Sequence, residues 1–402
     1  MANVFITPAD VTREALPRLA NNLVMAGLVE RTFEKSLTGK KIGDTISVRK
    51  PVKFQTVQGP ALQVQDIGET SVNLTITNQA HVDMEWDMSM QTLAIEEVAE
   101  RFIGPAMETL ANSIDLSLTG LFSSVYNEVG VPGVPAATFA AANAVAQRMD
   151  DEGVPQRDRH LVMSSTGYNS LLPAFVGSYV KDVAMPAYKG IVPTVTGFAG
   201  IYMDQNVQAQ TTGLLGGTPL VFSAGQTGSS IVTNGWTPSI TGLLNKGDVI
   251  TFAGVYAVNP VSLQRRTALR NFVVTATVNS DSSGNCIIPV YPPITLAGAG
   301  AIANPYTTCS ASPANGAAVV VLSGTTGQYT EKNIAFHRSA FGFACVPLDL
   351  PPQTEASQMD YLGLSIRALQ AYDIRTDRNV LRLDILYGST CFYPEMACRL
   401  TN

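Results

Sequence analysis

Apolar and polar residues change their spacing several times along the chain, and each change marks an element. Thr7-Pro8-Ala9-Asp10 reads as a helix start, with a capping hydroxyl, proline at the first helical position and an acid in the first turn. Pro17 is expected to keep that helix short or to kink it. From Gly43 the period drops to two. Thr45-Ile46-Ser47-Val48-Arg49 alternates, a polar stretch with Gly59-Pro60 and Gly68 follows, and Val72-Asn73-Leu74-Thr75-Ile76-Thr77 alternates again. This predicts a long two-stranded excursion. It has so few large apolar residues that its order depends on contact with something else, and a neighbouring subunit is the natural candidate.

The strongest helical signal runs from about Met90 to Val125, where Ile103, Met107, Leu110, Ile114, Leu118, Leu121 and Val125 recur at spacings of three or four. Such a helix would span on the order of 50 Å, and Gly104-Pro105 should bend it. A second helix is expected over Ala136 to Met149, closed by Asp150-Asp151-Glu152-Gly153, with a short strand at Arg159-His160-Leu161-Val162-Met163. From roughly Gly216 to Thr330 the text turns to Gly, Ser, Thr, Val and Pro with short alternating runs such as Phe272 to Val278. Asn279 to Asn285 is a turn leading into Cys286-Ile287-Ile288-Pro289-Val290, a unit expected in a small inserted barrel. Strands return at Leu364 to Ile374 and Val380 to Tyr387, where Arg382 and Asp384 alternate against Leu381, Leu383 and Ile385, and Thr376-Asp377-Arg378-Asn379 is read as their turn.

Composition narrows what such a chain does. It has 402 residues, enough for two or three cores. Only 14% of residues are charged against 46% hydrophobic, which favours a subunit buried among neighbours. A formal net charge of -6 argues against a protein whose main task is to grip phosphate backbones. The first residues lack a signal-peptide pattern and no apolar run is long enough for a membrane span, so synthesis and retention in the cytosol are expected. Cys286, Cys309, Cys345, Cys391 and Cys398 show no CxxC spacing and are expected to be reduced, buried thiols.

Charge is also unevenly placed. Residues 1–60 hold nine Lys and Arg against five Asp and Glu, whereas residues 61–130 hold one Arg against eleven acids. Either the chain neutralises this internally or a basic arm of one subunit settles on an acidic stripe of the next.

Chemistry-bearing patterns are sparse. There is no phosphate-binding GxxxxGK[ST], no GxSxG elbow and no HExxH helix. His81, Asp83, Glu85 and Asp87 share one face of a strand by alternation, but an oxygen-rich metal site needs further ligands from a neighbouring strand, so a solvated strand face is the preferred reading. Glu96, Glu97, Glu100 and Arg101 read as acids favoured near a helix start. His81, His160 and His337 have no adjacent nucleophile from which to build a triad. Neither an enzyme nor a cofactor is expected. Arg265-Arg266, with Arg270 close by, is the one compact basic group, and water, a partner's acids or DNA could each meet it.

Three runs then carry a resemblance: Gly43 to Pro51 (GDTISVRKP), His81 to Trp86 (HVDMEW) and Lys332 to Phe341 (KNIAFHRSAF). With the order of segments they resemble tailed-phage major capsid proteins, an α+β class with the HK97-like phage capsid fold. Lys246 to Val255 (KGDVITFAGV) and Leu364 to Leu400, including Asp384-Ile385-Leu386-Tyr387-Gly388 and Arg399, are similar to P22-like coat proteins, whose fold carries an inserted domain. Residues 131–215 show no such likeness.

The resemblance implies an N-terminal arm (1–39), an extended β-hairpin loop, or E-loop (40–89), a spine helix with peripheral domain (90–135), an axial domain (136–215), an inserted β-barrel-like domain (216–330) and closing strands (331–402). It implies self-assembly into pentamers and hexamers of an icosahedral shell around a scaffolding protein. A portal would occupy one vertex, double-stranded DNA would be packaged without sequence-specific binding, and a decoration protein could join, with no membrane involved and assembly in the host cytoplasm. Asp10, Arg13, Glu14 and Arg18 become candidate scaffold contacts. Arg49, Lys50, Glu96, Glu97, Arg265 and Arg266 become candidate contacts between subunits. The alternative is a phage tail-tube, adhesin or surface-layer protein, against which the long helix after a hairpin argues.

Overall fold

The computed structural model describes residues 7–32, 43–57, 59–60, 62–65, 67–87, 99–135, 138–176, 186, 189, 197–298, 304–352, 355–373, 375 and 378–402. The order begins with α1 (Pro8–Asn22), β1 (Thr45–Arg49), β2 (Ser71–Thr75) and β3 (Asn78–Asp87). A π-helical turn, Ala99–Ile103, leads into α2 (Gly104–Thr119) and a 3-10 turn, Gly120–Ser124, followed by β4 (Glu128–Gly130), α3 (Phe139–Asp151), β5 (Arg159–Met163) and α4 (Ser165–Val176). Short strands follow: β6 (Gly200–Met203), β7 (Ala209–Thr211), β8 (Gly217–Val221), β9 (Gly228–Trp236), β10 (Val249–Phe252), β11 (Tyr256–Val258), β12 (Arg265–Leu269), β13 (Phe272–Val274), β14 (Cys286–Ile294) and β15 (Val319–Val321). The chain closes with β16 (Tyr329–His337), β17 (Phe341–Val346), β18 (Glu355–Tyr361), β19 (Leu364–Asp373), β20 (Arg378–Cys391) and β21 (Ala397–Thr401). Two compact units share these elements, each assembled from three separated stretches of chain.

The first unit takes in residues 1–49, 71–119 and 341–392. Its sheet is built around β20, which pairs antiparallel with β3 along one edge and with β19 and then β17 along the other; β18 continues beyond β19. Helix α2 packs on β3 and β20, and α1 packs on α2, β18 and β19. Met107, Leu110, Ile114 and Leu118 are the buried side of α2, as their spacing predicts.

Some boundaries differ from what the spacing predicts. The long helix is a π turn, an α-helix and a 3-10 turn in succession, with the change of winding at Gly104-Pro105, because proline lacks the donor that would continue the preceding turn. Residues 88–98 lie outside the described segments, and with them Glu96 and Glu97. Helix α1 is 15 residues long and continues through Pro17 to Asn22. Pro17 and Arg13 are both on the exposed side, and the proline has no N–H to donate to the Arg13 carbonyl. Arg378 and Asn379, read from the sequence as part of the turn, belong to β20 and pair with Asp373 and Tyr372; Thr376 and Asp377 lie outside the described residues.

The second unit comprises residues 50–70, 120–340 and 393–402. Its open sheet runs β4-β21-β16-β5-β6, with parallel pairs at both ends, and β7 adds to the far part of β16. Helices α3 and α4 cover this sheet through Val145, Met149, Leu171 and Phe175 packed on Leu161, Met163, Ala335 and Leu400. Helix α4 has no counterpart in the periodicity, since Gly167, Asn169 and Pro173 interrupt it. Its start was legible only as Ser164, whose hydroxyl accepts from Gly167 N at 3.2 Å.

The inserted part of this unit is a six-stranded antiparallel barrel, β15-β10-β13-β14-β9-β8. Backbone bonds between Val221 and Ala317, and from Gly316 to Val221, close it between β8 and β15. Trp236, Phe252, Phe272, Ile231, Ile288 and Val290 fill its interior. The turn before β14 is tied by the Asp281 carboxylate, which accepts from Ser283 N and Asn285 N, and by Gly284 at φ +76, where a Cβ would sit 2.2 Å from the Trp236 carbonyl. The expected unit of strand, turn and strand therefore forms, although β13 is only three residues long.

Candidate assembly surfaces and the buried charge networks

The features that stand out among the described residues are an exposed apolar loop and two networks of buried charge. Residues 51–57, 59–60, 62–65 and 67–70 between β1 and β2 have no helix or strand of their own. Their tie to the body of their unit is polar: Gln55 Nε2 donates to the Val261 carbonyl at 3.3 Å and the Tyr306 hydroxyl donates to the Gly68 carbonyl at 2.9 Å. Within the loop, Gln65 holds both the N–H and the carbonyl of Gln55. The large apolar side chains of the loop are open to solvent. Leu62 is 90% exposed and Val64 83%, with Phe54 and Ile67 also open to solvent. Four large apolar residues on one short loop are far more than scattered surface exposure requires. Composition predicted an excursion that lacks its own core, and these residues are the consequence.

The candidate scaffold contacts share one side of α1. Val11, Thr12, Ala15, Leu16 and Leu19 are buried, while Arg13 and Glu14 are exposed and Asp10 and Arg18 partly so. Asp10 also has an internal task. Its carboxylate accepts from Thr7 N at 3.3 Å and the Thr7 hydroxyl at 2.6 Å, while Thr7 Oγ1 accepts from Asp10 N, a closed capping box. The turn after α1 is held by an acid that sequence reading assigned no role: buried Asp115 of α2 accepts from Val24 N at 2.8 Å and Ala26 N at 3.1 Å.

Of the other candidate contacts, Arg49 is exposed at the end of β1, and the Lys50 ammonium lies 5.0 Å from the centre of the Tyr393 ring. His81, Asp83 and Glu85 lie along β3 as alternation requires. Asp83 sits 3.4 Å from His81 and 3.9 Å from Arg382, and Glu85 pairs with Arg378. These are ion pairs on a sheet face, and no group of metal-ligating side chains occurs among the described residues. On the same face Asp384 is wholly buried between Arg367 at 2.5 Å and Arg382 at 2.7 Å.

The basic group on and after β12 meets acids of its own chain. Asp150, Asp151 and Glu152 close α3, where the helix dipole disfavours negative charge. Each is matched by arginine: Asp150 by Arg159 at 2.6 Å, Asp151 by Arg266 at 2.6 Å, and Glu152 by Arg270 at 2.8 Å and Arg148 at 3.7 Å. Arg270 is buried, with its guanidinium also 4.6 Å from the centre of the Tyr126 ring. Arg265 instead stacks on Tyr256 at 3.6 Å. In the sequence the acids are a helix stop and the arginines a separate basic group that water, a partner or DNA could meet; the fold joins them.

A second network lies between the open sheet and the barrel, and no motif announced it. Glu128 of β4 accepts from Lys332 Nζ of β16 at 2.6 Å, from the Thr401 hydroxyl of β21 and from Ser323 Oγ at 2.9 Å, and Arg399 lies 4.0 Å away. Arg399 donates to the Val125 and Gly247 carbonyls, the latter at 2.7 Å, and to Gln210 Oε1 at 3.2 Å. Gln210 in turn donates to Asp248 at 2.7 Å, and Asp248 accepts from Gly213 N and Asn245 N. Burial pushes the Glu128 carboxyl up, but Lys332 and Arg399 together outweigh it and hold the group below the usual carboxylate range. Burial drives the Lys332 ammonium down, against the pull of Glu128. Asp248 is pushed up by burial, with its backbone donors opposing. All five cysteines are free thiols, four of them buried, and burial pushes Cys286 up to about 11 and Cys398 up to about 12.

The model of the family described as P22 coat protein, gene protein 5, matches residues 9–401. The chain belongs to the P22 coat protein family. It is thus a phage coat, or major capsid, protein of α+β class, and the tail-tube, adhesin or surface-layer alternative is not favoured. The chain is similar to the major capsid protein of Acyrthosiphon pisum secondary endosymbiont phage 1, 22% identical over 416 residues that cover 96% of this chain and 95% of that one. Among solved structures it is similar to one from Mycobacterium phage Che8, with a TM-score of 0.47, 12% identity and 94% and 90% of the two chains covered. The capsid structure of cyanophage P-SCSP1u gives a TM-score of 0.45 at 11% identity, covering 94% and 87%.

Proposed function

We propose that this coat protein builds an icosahedral shell of pentamers and hexamers around a scaffolding protein, with the work done by interfaces rather than by catalysis. In this reading residues 40–89 are the E-loop lying across an adjacent subunit, residues 90–135 the spine and peripheral domain, and residues 216–330 the inserted domain. Arg13, Glu14 and Arg18, with Asp10 at their N-terminal end, receive the scaffold. A portal at one vertex, packaged DNA held without sequence readout and assembly in the host cytoplasm complete the proposal.

One observation carries it: the exposed apolar series Phe54, Leu62, Val64 and Ile67 on a loop with no core, in a chain of a coat protein family. Burying such a series against a neighbour is favourable at roughly 25 cal/mol per Å² of apolar surface, repeated at every copy of the contact. The test is negative-stain electron microscopy with sedimentation velocity on the chain, alone and with its cognate scaffold. Closed particles support the reading; a persistent monomer or an open tube in both preparations rejects it.

A further inference from the structure

The barrel joins the open sheet through a narrow neck. The chain enters the barrel from β7 through residues 212–216 and leaves it from β15 through residues 322–328 into β16. The two passages run side by side, with Thr212 N donating to the Gln328 carbonyl at 2.9 Å and Gly327 N to the Gly213 carbonyl at 3.2 Å. Tyr126, two residues before β4, packs on Val249 and Val273 and holds the barrel against the sheet, but apolar burial is non-directional and sets no single orientation. The ion pairs of α3 reach Arg266 and Arg270, on and just after β12, a strand of the separate pair β11-β12.

Directional contacts at the neck come from three buried side chains. Asp248 stands immediately before β10 of the barrel, Gln210 is on β7 at the entrance of the neck, and Arg399 is on β21 of the sheet. One Asp248 oxygen accepts from Gln210 Nε2 at 2.7 Å; the other accepts from Gly213 N at 3.0 Å and Asn245 N at 2.8 Å. Gln210 Oε1 accepts from Arg399 Nη1 at 3.2 Å, and the same nitrogen donates to the Gly247 carbonyl at 2.7 Å. An ionised carboxylate only accepts and a guanidinium only donates, so the glutamine amide between them has one permitted orientation. The three form a polar relay from barrel to neck to sheet. Hydrogen bonds weaken steeply when bent, so a relay buried from competing water defines an angle where apolar packing defines only a distance.

We infer that the Asp248–Gln210–Arg399 relay is a lock on the neck, fixing the orientation of the barrel on the sheet of its own chain before any partner is met. For a coat protein the consequence is preorganisation, since a barrel already held in place reaches its neighbours without the cost of ordering it at assembly. That consequence rests on the shell-building reading above; the lock itself does not.

Reversing the polarity of the relay tests it. In Asp248→Asn an amide nitrogen faces Gln210 Nε2, and Gln210 can turn to meet it only by presenting a donor to Arg399. In Gln210→Glu a second carboxylate faces Asp248. The double variant Gln210→Glu, Asp248→Asn restores every bond at unchanged net charge: the introduced carboxylate accepts from Arg399 and from the introduced amide, whose oxygen still faces Gly213 N and Asn245 N. Hydrogen exchange is measured by mass spectrometry on the unassembled full chain, on peptides covering 208–214 and 324–330 at the neck, 228–236 in the barrel and 332–337 in the sheet. Each single variant is expected to speed neck exchange about tenfold or more, with the barrel and sheet peptides within about twofold of the parent, and the double variant should bring the neck back to within about threefold. Parent-like neck exchange in both single variants overturns the inference. A neck that stays fast in the double variant also overturns it, as does faster exchange across the whole barrel, which would make the relay part of barrel stability and not of its placement. If a single variant fails to fold, Gln210→Leu, which leaves Asp248 its two backbone donors, takes its place, and parent-like neck exchange there overturns the inference in the same way. Scaffold-directed assembly of the same proteins tests the consequence: a fast neck should lower the yield of closed shells about fivefold or more, with recovery in the double variant. Unchanged yield despite a fast neck overturns preorganisation, whereas a parent chain that forms no shells overturns the shell-building reading and leaves the exchange result standing.

Discussion

Glu128 shows how much of this protein depends on single buried charges. It has a cation, two hydroxyls and a more distant guanidinium around it, and none of these neighbours is within 100 residues of it in sequence. Lys332→Met is expected to cost about 3 to 5 kcal/mol, since removing one partner of a buried pair strands the other. The double variant with Glu128→Leu should recover much of that loss, and urea unfolding of the unassembled chain measures both. Acid should act on the same carboxylate. Its folded-state pKa is depressed, so its contribution is fully present above the unfolded value of about 4.3 and is lost as pH falls through the lower folded value. Glu128→Gln should flatten stability against pH below about 4, and a matched pair of pH titrations of the unfolding midpoint that superimpose over that range would contradict this assignment.

At the level of elements, α3 is joined to the strand-and-turn region around β12 by a run of ion pairs. The exposed and buried members should differ sharply. Arg270 lies between Glu152 and Tyr126, both buried, so Arg270→Ala is expected to cost about 3 kcal/mol or more. Arg266 pairs with Asp151 near the surface, and its loss should cost no more than about 1 kcal/mol. Thermal or denaturant unfolding of the two variants side by side decides it; equal costs would mean that the pairs act as one unit instead of by burial.

For the whole molecule, the question is which surfaces serve folding and which serve association. The loop between β1 and β2 leaves its apolar residues outside the described core, so a Leu62→Ser, Val64→Ser, Ile67→Ser variant should keep the parent's unfolding free energy to within about 0.5 kcal/mol. The same variant should lose most closed shells in the scaffold assembly reaction. A drop in monomer stability instead would show that the loop packs within its own chain.

Local chemistry made much of this legible. The buried stripe of α2 follows from side chains recurring every three or four residues, and the alternation of β1, β2 and β20 follows from the two-residue period of a strand. The turn at Asp281 needed only the types of its residues. Segment order and a few runs were enough to place the chain among phage coat proteins. Tertiary structure alone decided the pairings between distant residues: Glu128 with Lys332, Asp115 with the turn after α1, and the acids closing α3 with arginines from 159 to 270. Nothing in the local text of those residues distinguishes a surface charge from a buried one, because burial is set by which strands become neighbours. The same reason hid the relay at the neck of the barrel. Gln210, Asp248 and Arg399 lie in separate elements, and only the fold sets them end to end.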